Sequence, residues 1–182
     1  MRAQLAKAQL RGVLSFPNPV NDLAARVVAG AVVAMSVVAA VLGQPWLMVA
    51  LAYGFWARVL TGPTLSPLAQ AATRLVAPHL GPPRPVAGPP KRFAQAMGAT
   101  FSTAAVLLWF AFGEGTAARA VLGALAAAAS LEAFAGYCLG CRMFGLLMRW
   151  GVVPGTVCES CADLSLRHPE LRAGAPQAVH GA

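Results

Sequence analysis

Long stretches without ionisable side chains mark the predicted helices of this chain. Between Arg26 and Arg58 the only ionisable group is the phenol of Tyr53. One bilayer crossing needs about 20 mostly apolar residues, so this stretch has room for two short crossings, and Gly43-Gln44-Pro45 interrupts it in the middle. It therefore predicts a helical hairpin with membrane spans over about residues 27–43 and 45–61.

Two further apolar stretches follow a long polar loop. The first lies between Lys91-Arg92 and Glu114 and predicts a third span over about residues 93–113, and the second predicts a fourth over about 117–138. Residues 123–130 of the fourth are nearly all Gly, Ala or Ser, and small residues let helix backbones approach closely within a membrane. The predicted fold class is all-α, an integral membrane four-helix bundle made of two helical hairpins.

The middle loop has its own predicted structure. Ser66 followed by Pro67 is typical of a helix N-cap with proline at the first helical position. We expect a short helix there, ending near Pro78 and lying on the cytoplasmic membrane surface. Residues 81–90 include five prolines, which predicts an extended spacer.

Composition supports a membrane protein and sets its orientation. Hydrophobic residues make up 58% of the chain and charged residues 11%, whereas about a quarter of the residues in soluble proteins are charged. The net charge is +8, and Lys and Arg lie mainly before the first span, between the second and third, and after the fourth. The positive-inside rule therefore predicts cytoplasmic termini and a cytoplasmic middle loop, with lipid rather than nucleic acid as the partner of the basic residues.

All four cysteines occur in two Cys-x-x-Cys pairs. Cys138 and Cys141 lie where the fourth span ends, and Cys158 and Cys161 follow after sixteen residues. The predicted organisation is a cytoplasmic N-terminal segment (1–22), a four-span membrane domain (23–150), a cytoplasmic cysteine-containing segment (151–170) and a disordered tail (171–182). Both pairs are thus predicted on the cytoplasmic side.

The first pair suits exchange chemistry. If the fourth helix continues through Cys138 and Cys141, their sulfurs at positions i and i+3 face the same spot. Cytoplasmic thiols would keep a structural disulfide reduced, so a disulfide here would be transient and catalytic. A helix C-terminus raises the pKa of a thiol, which would act against activation, with Arg142 as a partial offset.

The four cysteines together also fit a metal site. The pattern Cys-x2-Cys-x16-Cys-x2-Cys falls within the spacing of four-thiolate zinc sites, with Cys138, Cys141, Cys158 and Cys161 as ligands. Zinc would then tie the cytoplasmic segment to the end of the fourth helix as a structural knot. Both interpretations stay open on the sequence.

Two acidic residues near the membrane have alternative roles. Glu132 lies about six residues inside the fourth span, where an ionisable group is a functional candidate by default. It is either a proton acceptor in thiol chemistry or a carboxylate bonded within the bundle to Ser102, Thr103, Tyr53 or Arg58. Asp22 and Arg26 are four residues apart and predict an ion pair at the start of the first span.

Three stretches of the chain resemble a known family. They are Arg58-Val59-Leu60-Thr61-Gly62-Pro63 with Ser66-Pro67-Leu68, then Lys91-Arg92-Phe93-Ala94-Gln95 with Gly98, and Gly136-Tyr137-Cys138-Leu139-Gly140-Cys141. Together they are similar to the bacterial membrane family catalogued as domain of unknown function 4395, over about residues 18–161. The resemblance implies that the Cys-x-Gly-Cys motif is the distinguishing site, that thioredoxin-like or rhodanese-like sulfurtransferase proteins are partners, and that the protein lies in the bacterial cytoplasmic (inner) membrane.

Three classes of function follow from these features. The first is a membrane thiol-disulfide oxidoreductase or sulfur relay, with Cys138 and Cys141 as the exchange pair and a quinone as one candidate acceptor on the lipid side. The second is a membrane scaffold with a structural zinc knot. The third is a small transporter for a sulfur species, which would require a homo-oligomer. The sequence has no phosphate-binding loop and no Ser-His-Asp arrangement, so it gives no support to kinase or hydrolase chemistry.

Overall fold

The computed structural model describes residues 16–158 and is mostly helical. In chain order the elements are β1 (Val20–Asn21), α1 (Asp22–Leu42), α2 (Pro45–Thr61), α3 (Pro67–Ala71), a π-helical turn (Ala72–Val76), α4 (Ala77–Leu80), β2 (Pro85–Val86), α5 (Gly88–Phe110), α6 (Gly115–Ala135), α7 (Leu139–Arg149) and a 3-10 turn (Gly155–Cys158). The all-α class predicted from the sequence is confirmed, apart from the two-residue strands β1 and β2, which pair antiparallel.

Three of the described helices, α1, α5 and α6, are long and apolar enough to cross a membrane. The remaining predicted span, over residues 45–61, coincides with α2, which has 17 residues and is shorter than the usual crossing of about 20. The structure therefore supports a membrane protein with three candidate spans, and the four-span bundle remains a prediction.

Two helices begin earlier than the sequence predicts. α1 starts at Asp22 because the Asn21 side chain caps it, accepting a hydrogen bond from the backbone nitrogen of Leu23 at 3.1 Å. α5 starts at Gly88 with Pro89 and Pro90 in its first turn, where the missing N–H of proline has no partner to lose. The predicted spacer over residues 81–90 is thus wrong for its last three residues.

The long helices pair across the fold rather than along the chain. α1 packs most extensively against α6, and α2 against α5, while the sequence neighbours α1 and α2 touch much less. Gly98 of α5 faces Phe55 of α2 so closely that a Cβ atom would overlap the aromatic ring, which explains glycine there. This pairing brings the start of α1, the start of α5 and the end of α6 to the same end of the protein.

The middle segment forms helix from Ser66 onward as predicted. The Ser66 side chain accepts a hydrogen bond from the backbone nitrogen of Ala69 at 3.4 Å, and helical structure continues through the π-helical turn to Leu80. Ala69, Ala72 and Ala77 are buried on the side that packs against α1. Its location on the cytoplasmic surface stays a prediction.

The end of the fourth predicted span differs from expectation. α6 stops at Ala135 because Gly136 adopts the left-handed conformation, with φ of 66°, and Gly136 closes the helix with a bond to the Glu132 carbonyl. After two residues a separate helix, α7, begins at Leu139. The chain therefore turns just before the first cysteine pair.

Candidate functional site

The first cysteine pair lies at the beginning of α7. Cys138 is the N-cap residue, and its Sγ accepts a hydrogen bond from the backbone nitrogen of Cys141 at 3.4 Å. The Cys141 thiol also donates to it, and the two Sγ atoms are 2.7 Å apart. Both cysteines are free thiols and partly buried. The geometry places one sulfur at a helix N-terminus with the other immediately beside it.

This arrangement corrects the expectation that the pair follows a helix C-terminus. The sequence predicts one helix through residue 138, but the turn at Gly136 ends α6 and lets Cys138 cap a new helix. A helix N-terminus carries partial positive charge and unpaired N–H groups, which stabilise an adjacent thiolate. The helix dipole therefore favours activation of Cys138 rather than opposing it.

The two thiols differ in their ionisation. Hydrogen bonding from the Cys141 thiol lowers the pKa of Cys138, with a smaller lowering from the positive charge of Lys91, against opposing contributions from burial and from Glu132. The pKa of Cys141 is raised, chiefly because its thiol proton is held by Cys138. Cys138 is thus the sulfur suited to act as a thiolate, and Cys141 is the one that keeps its proton.

Behind the pair lies an ion triad that joins three helices. The Lys91 ammonium is 2.9 Å from Asp22 Oδ1 and 2.7 Å from Glu132 Oε1. The side chains are 8%, 22% and 15% exposed respectively, so the triad is largely removed from water. Such a triad ties α1, α5 and α6 together at the end where the cysteines lie.

Glu132 therefore has a different partner from those predicted. None of the four predicted partners bonds to Glu132. Ser102 donates to the Gly98 carbonyl, Tyr53 donates to the Leu65 carbonyl, and Thr103 accepts from Trp56. Arg58 donates to Gln95 and Ser66. In the sequence, Lys91 is a charge that flanks the third predicted span. Its spacing of 41 residues from Glu132 carries no local signal, and only the packing of α5 on α6 brings the two together.

The predicted Asp22–Arg26 ion pair is also wrong. Asp22 bonds to Lys91, and Arg26 donates to the carbonyl oxygens of Ala133 and Phe134 at 3.1 to 3.3 Å. These carbonyls belong to the last turn of α6, where they have no partner within the helix. Arg26 thus fastens α1 to the end of α6 just before the cysteine turn.

An open cavity of about 780 Å³ borders the pair. Cys138 and Cys141 line it together with Asp22, Lys91, Arg142, Arg149, Phe144 and Met148 among others. Two members of the triad, Asp22 and Lys91, therefore share the cavity with the thiols, and Glu132, bonded to Lys91, is near enough for its charge to act on both sulfurs. On one straight helix through residue 141, Glu132 and Cys141 would lie on opposite faces, but the helix that carries Glu132 ends at Ala135.

The second cysteine pair is only partly described. Cys158 is buried in the 3-10 turn and is disulfide-bonded. Cys161 falls outside the described residues. Residues 16–158 contain no group of three or more His, Cys, Asp or Glu side chains that could hold a metal ion, so the four-cysteine zinc site stays an untested prediction.

Comparison with known proteins gives a family but no activity. No curated protein and no solved structure matches the chain. One family model, described as a domain of unknown function, matches residues 20–149. The match includes the first cysteine pair and the ion triad and ends before Cys158. Because it covers well over half of the 182 residues, the chain belongs to the family described as Domain of unknown function (DUF4395).

Proposed function

We propose that this protein is a membrane-embedded thiol-disulfide exchange protein in which Cys138 and Cys141 form the exchange pair. The observation that carries the proposal is the N-cap position of Cys138, whose sulfur accepts hydrogen bonds from both the backbone and the thiol of Cys141. Thiolates, not thiols, attack disulfides, and this is the arrangement that favours a thiolate at one sulfur of the pair. The open cavity gives a substrate access to it.

The exchange proceeds in two balanced steps. The Cys138 thiolate attacks one sulfur of a partner disulfide, forming a mixed disulfide and releasing the other partner sulfur as a thiolate. Cys141 then loses its proton and attacks Cys138 Sγ, which forms the Cys138–Cys141 disulfide and releases the second partner thiolate. The partner disulfide gains two electrons and the cysteine pair loses two, and the reverse sequence passes the disulfide to a dithiol.

Glu132 is the proposed acceptor of the Cys141 proton. Its charge acts on both sulfurs, and its bond to Lys91 uses one carboxylate oxygen, Oε1, leaving Oε2 to accept the proton. Lys91 has a supporting role, because its positive charge favours the Cys138 thiolate.

The partner proposed from the family resemblance is a soluble thioredoxin-like or rhodanese-like protein. In the proposed topology both termini and the cysteine end face the bacterial cytoplasm, which the concentration of Lys and Arg in the corresponding segments supports. The membrane side then remains for a lipid-soluble acceptor of the quinone class. A sulfur relay differs only in that Cys138 would receive a persulfide sulfur in place of a disulfide.

The test uses the purified full chain in detergent, with Cys158→Ser and Cys161→Ser to isolate the first pair. Equilibration in glutathione buffers and in dithiothreitol buffers of graded potential, followed by alkylation of free thiols, should show reversible two-electron oxidation of Cys138 and Cys141. A pair that stays reduced at every potential would overturn the exchange proposal.

The same preparation separates exchange from the zinc scaffold. The wild-type chain should contain no stoichiometric zinc and should form the Cys138–Cys141 disulfide with mild oxidant. About one zinc per chain, lost in Cys158→Ser and protecting all four thiols from oxidation, would establish the scaffold in its place. A homo-oligomer that conducts a sulfur anion across vesicles without thiol oxidation would instead support the transporter alternative.

A further inference from the structure

We infer that the cavity at Cys138 selects small anionic disulfides and thiols, which Arg142 and Arg149 recognise. The inference rests on the proposed function and names the substrate class of the same site. Cys138, Arg142 and Arg149 all line the cavity. With 3.6 residues per helical turn, positions 138, 142 and 149 fall on one face of α7, so the two arginines follow the reactive sulfur along the cavity wall.

The spacing suits a small charged molecule. At 1.5 Å of rise per residue, Arg142 begins about 6 Å and Arg149 about 17 Å along the helix from Cys138. A carboxylate within a few bonds of a sulfur would reach Arg142 while that sulfur contacts Cys138. A second carboxylate farther along the same molecule would meet Arg149. The cavity volume of about 780 Å³ lies within the range of small-molecule sites.

The charges of the two arginines are available to a ligand. Among residues 16–158, neither Arg142 nor Arg149 has a carboxylate within 4 Å, and both are exposed. The acidic side chains at this end, Asp22 and Glu132, are already bonded to Lys91. Lys91 offsets one of these two acidic charges, and Arg142 and Arg149 at the cavity edge add two positive charges, so the charges around the cavity sum to a net positive field for an entering substrate.

Arg142 is also held in place. Its guanidinium carbon lies 5.1 Å from the centroid of the Tyr137 ring, a cation-π contact that fixes the planar group while its N–H edge stays free to donate. The apolar side chains of Phe144 and Met148 complete the wall. A site with two arginine side chains and an apolar wall favours an anionic substrate over a neutral one of equal size.

The experiment compares disulfides of different charge. Reduced protein carrying Cys158→Ser and Cys161→Ser is mixed with oxidised glutathione (anionic), hydroxyethyl disulfide (neutral) or cystamine (cationic) at low salt. Each rate of Cys138 oxidation is divided by the rate of the same disulfide with free dithiothreitol. We expect a normalised preference of about tenfold for the anion over the neutral disulfide, as for steering by two charges, falling to near unity in R142Q/R149Q and persisting in R119Q.

Arg119 is the matched control because it lies near the start of α6, at the opposite end from the cysteines, beside the Trp109 ring. Equal normalised rates for all three disulfides, or an equal loss in R119Q, would overturn the inference while leaving the exchange function intact. So would a tenfold faster reaction with a disulfide-linked acidic peptide than with oxidised glutathione, which would assign the cavity to a protein segment.

A binding measurement keeps the inference testable if no exchange occurs. S-methylglutathione carries the two carboxylates and one ammonium group of one half of oxidised glutathione and cannot react, so its equilibrium binding depends on recognition alone. Binding to the wild-type chain that is lost in R142Q/R149Q and retained in R119Q supports an anion site even where the exchange proposal has failed. No binding to the wild-type chain, together with no anion preference in rate, rejects the site.

Discussion

The Sγ of Cys138 lies 2.7 Å from the Sγ of Cys141 and 3.4 Å from the Cys141 backbone nitrogen. Both contacts direct hydrogen toward Cys138, which makes the two members of the pair unequal. One sulfur can hold negative charge at the helix N-terminus, and the other holds the proton, which in the proposed exchange it keeps until a mixed disulfide forms. The predictions below test this asymmetry and the packing that creates it.

Removing the Cys141 thiol should make Cys138 less acidic. In Cys141→Ala the main contribution that lowers the pKa of Cys138 is lost, so the pKa rises and alkylation by iodoacetamide at neutral pH slows. Cys141→Ser keeps an O–H donor at the same place and should retain more of the acidity. The pH dependence of alkylation in a Cys158→Ser/Cys161→Ser background measures this, and identical profiles for the alanine variant and the wild type would contradict it.

Neutralising Glu132 should act in the opposite direction. The negative charge of Glu132 raises the pKa of Cys138, so Glu132→Gln lowers that pKa and moves the alkylation profile to lower pH. If Glu132 also accepts the Cys141 proton, the second step slows, and the mixed disulfide persists longer in stopped-flow or trapping experiments. If Cys138 is alkylated faster in Glu132→Gln but Cys141 resolves the mixed disulfide at the wild-type rate, Glu132 acts on the pair only through its charge and is not the proton acceptor.

Lys91 should be important for stability as well as for the site. Lys91→Met leaves Asp22 and Glu132 largely buried without their cation, and breaking a buried ion pair costs about 3 to 5 kcal/mol. We expect the low end of that range, because both carboxylates retain some access to water. Thermal unfolding in detergent, followed by far-UV circular dichroism, gives the loss in Tm.

Two companion variants control for the ion triad. Lys91→Arg keeps the charge and should recover much of the loss. The double variant Lys91→Met/Glu132→Gln removes one of the stranded charges and should be more stable than Lys91→Met alone. A Lys91→Met protein with wild-type Tm would show that the triad does not hold α1, α5 and α6 together.

The close contact between α7 and α5 should tolerate no side chain at Gly140. A Cβ atom there would lie 2.6 Å from both Cα and Cβ of Ala94, so Gly140→Ala must push α7 outward, at a cost of about 1 to 3 kcal/mol for overpacking. Gly145 lies in the same helix with nothing within 4 Å of its would-be Cβ. Gly145→Ala should therefore be neutral or slightly stabilising. Equal Tm values for the two variants would contradict the close packing.

Local patterns predicted the local features well. The charge-free intervals located α1, α2, α5 and α6 to within a few residues, and Ser66-Pro67 located the start of α3, because hydropathy and capping depend on neighbours in sequence. Predictions failed where the local sequence around a residue is compatible with two different conformations. Gly136 within a small-residue helix looks like a packing glycine, whereas its positive φ makes it a C-cap that ends α6 before the cysteines.

The sequence by itself determined the helical class, the long apolar helices, the family and the Cys-x-Gly-Cys motif at Cys138 and Cys141, because each depends on local patterns of residues along the chain. The tertiary structure decided which helix end the pair occupies and which charges surround it. Lys91 meets Asp22 and Glu132 across 69 and 41 residues, and only the packing of α5 against α1 and α6 makes those contacts. Since the pKa of a thiol depends on distances to such charges and dipoles, the ionisation of Cys138 is a property of the fold.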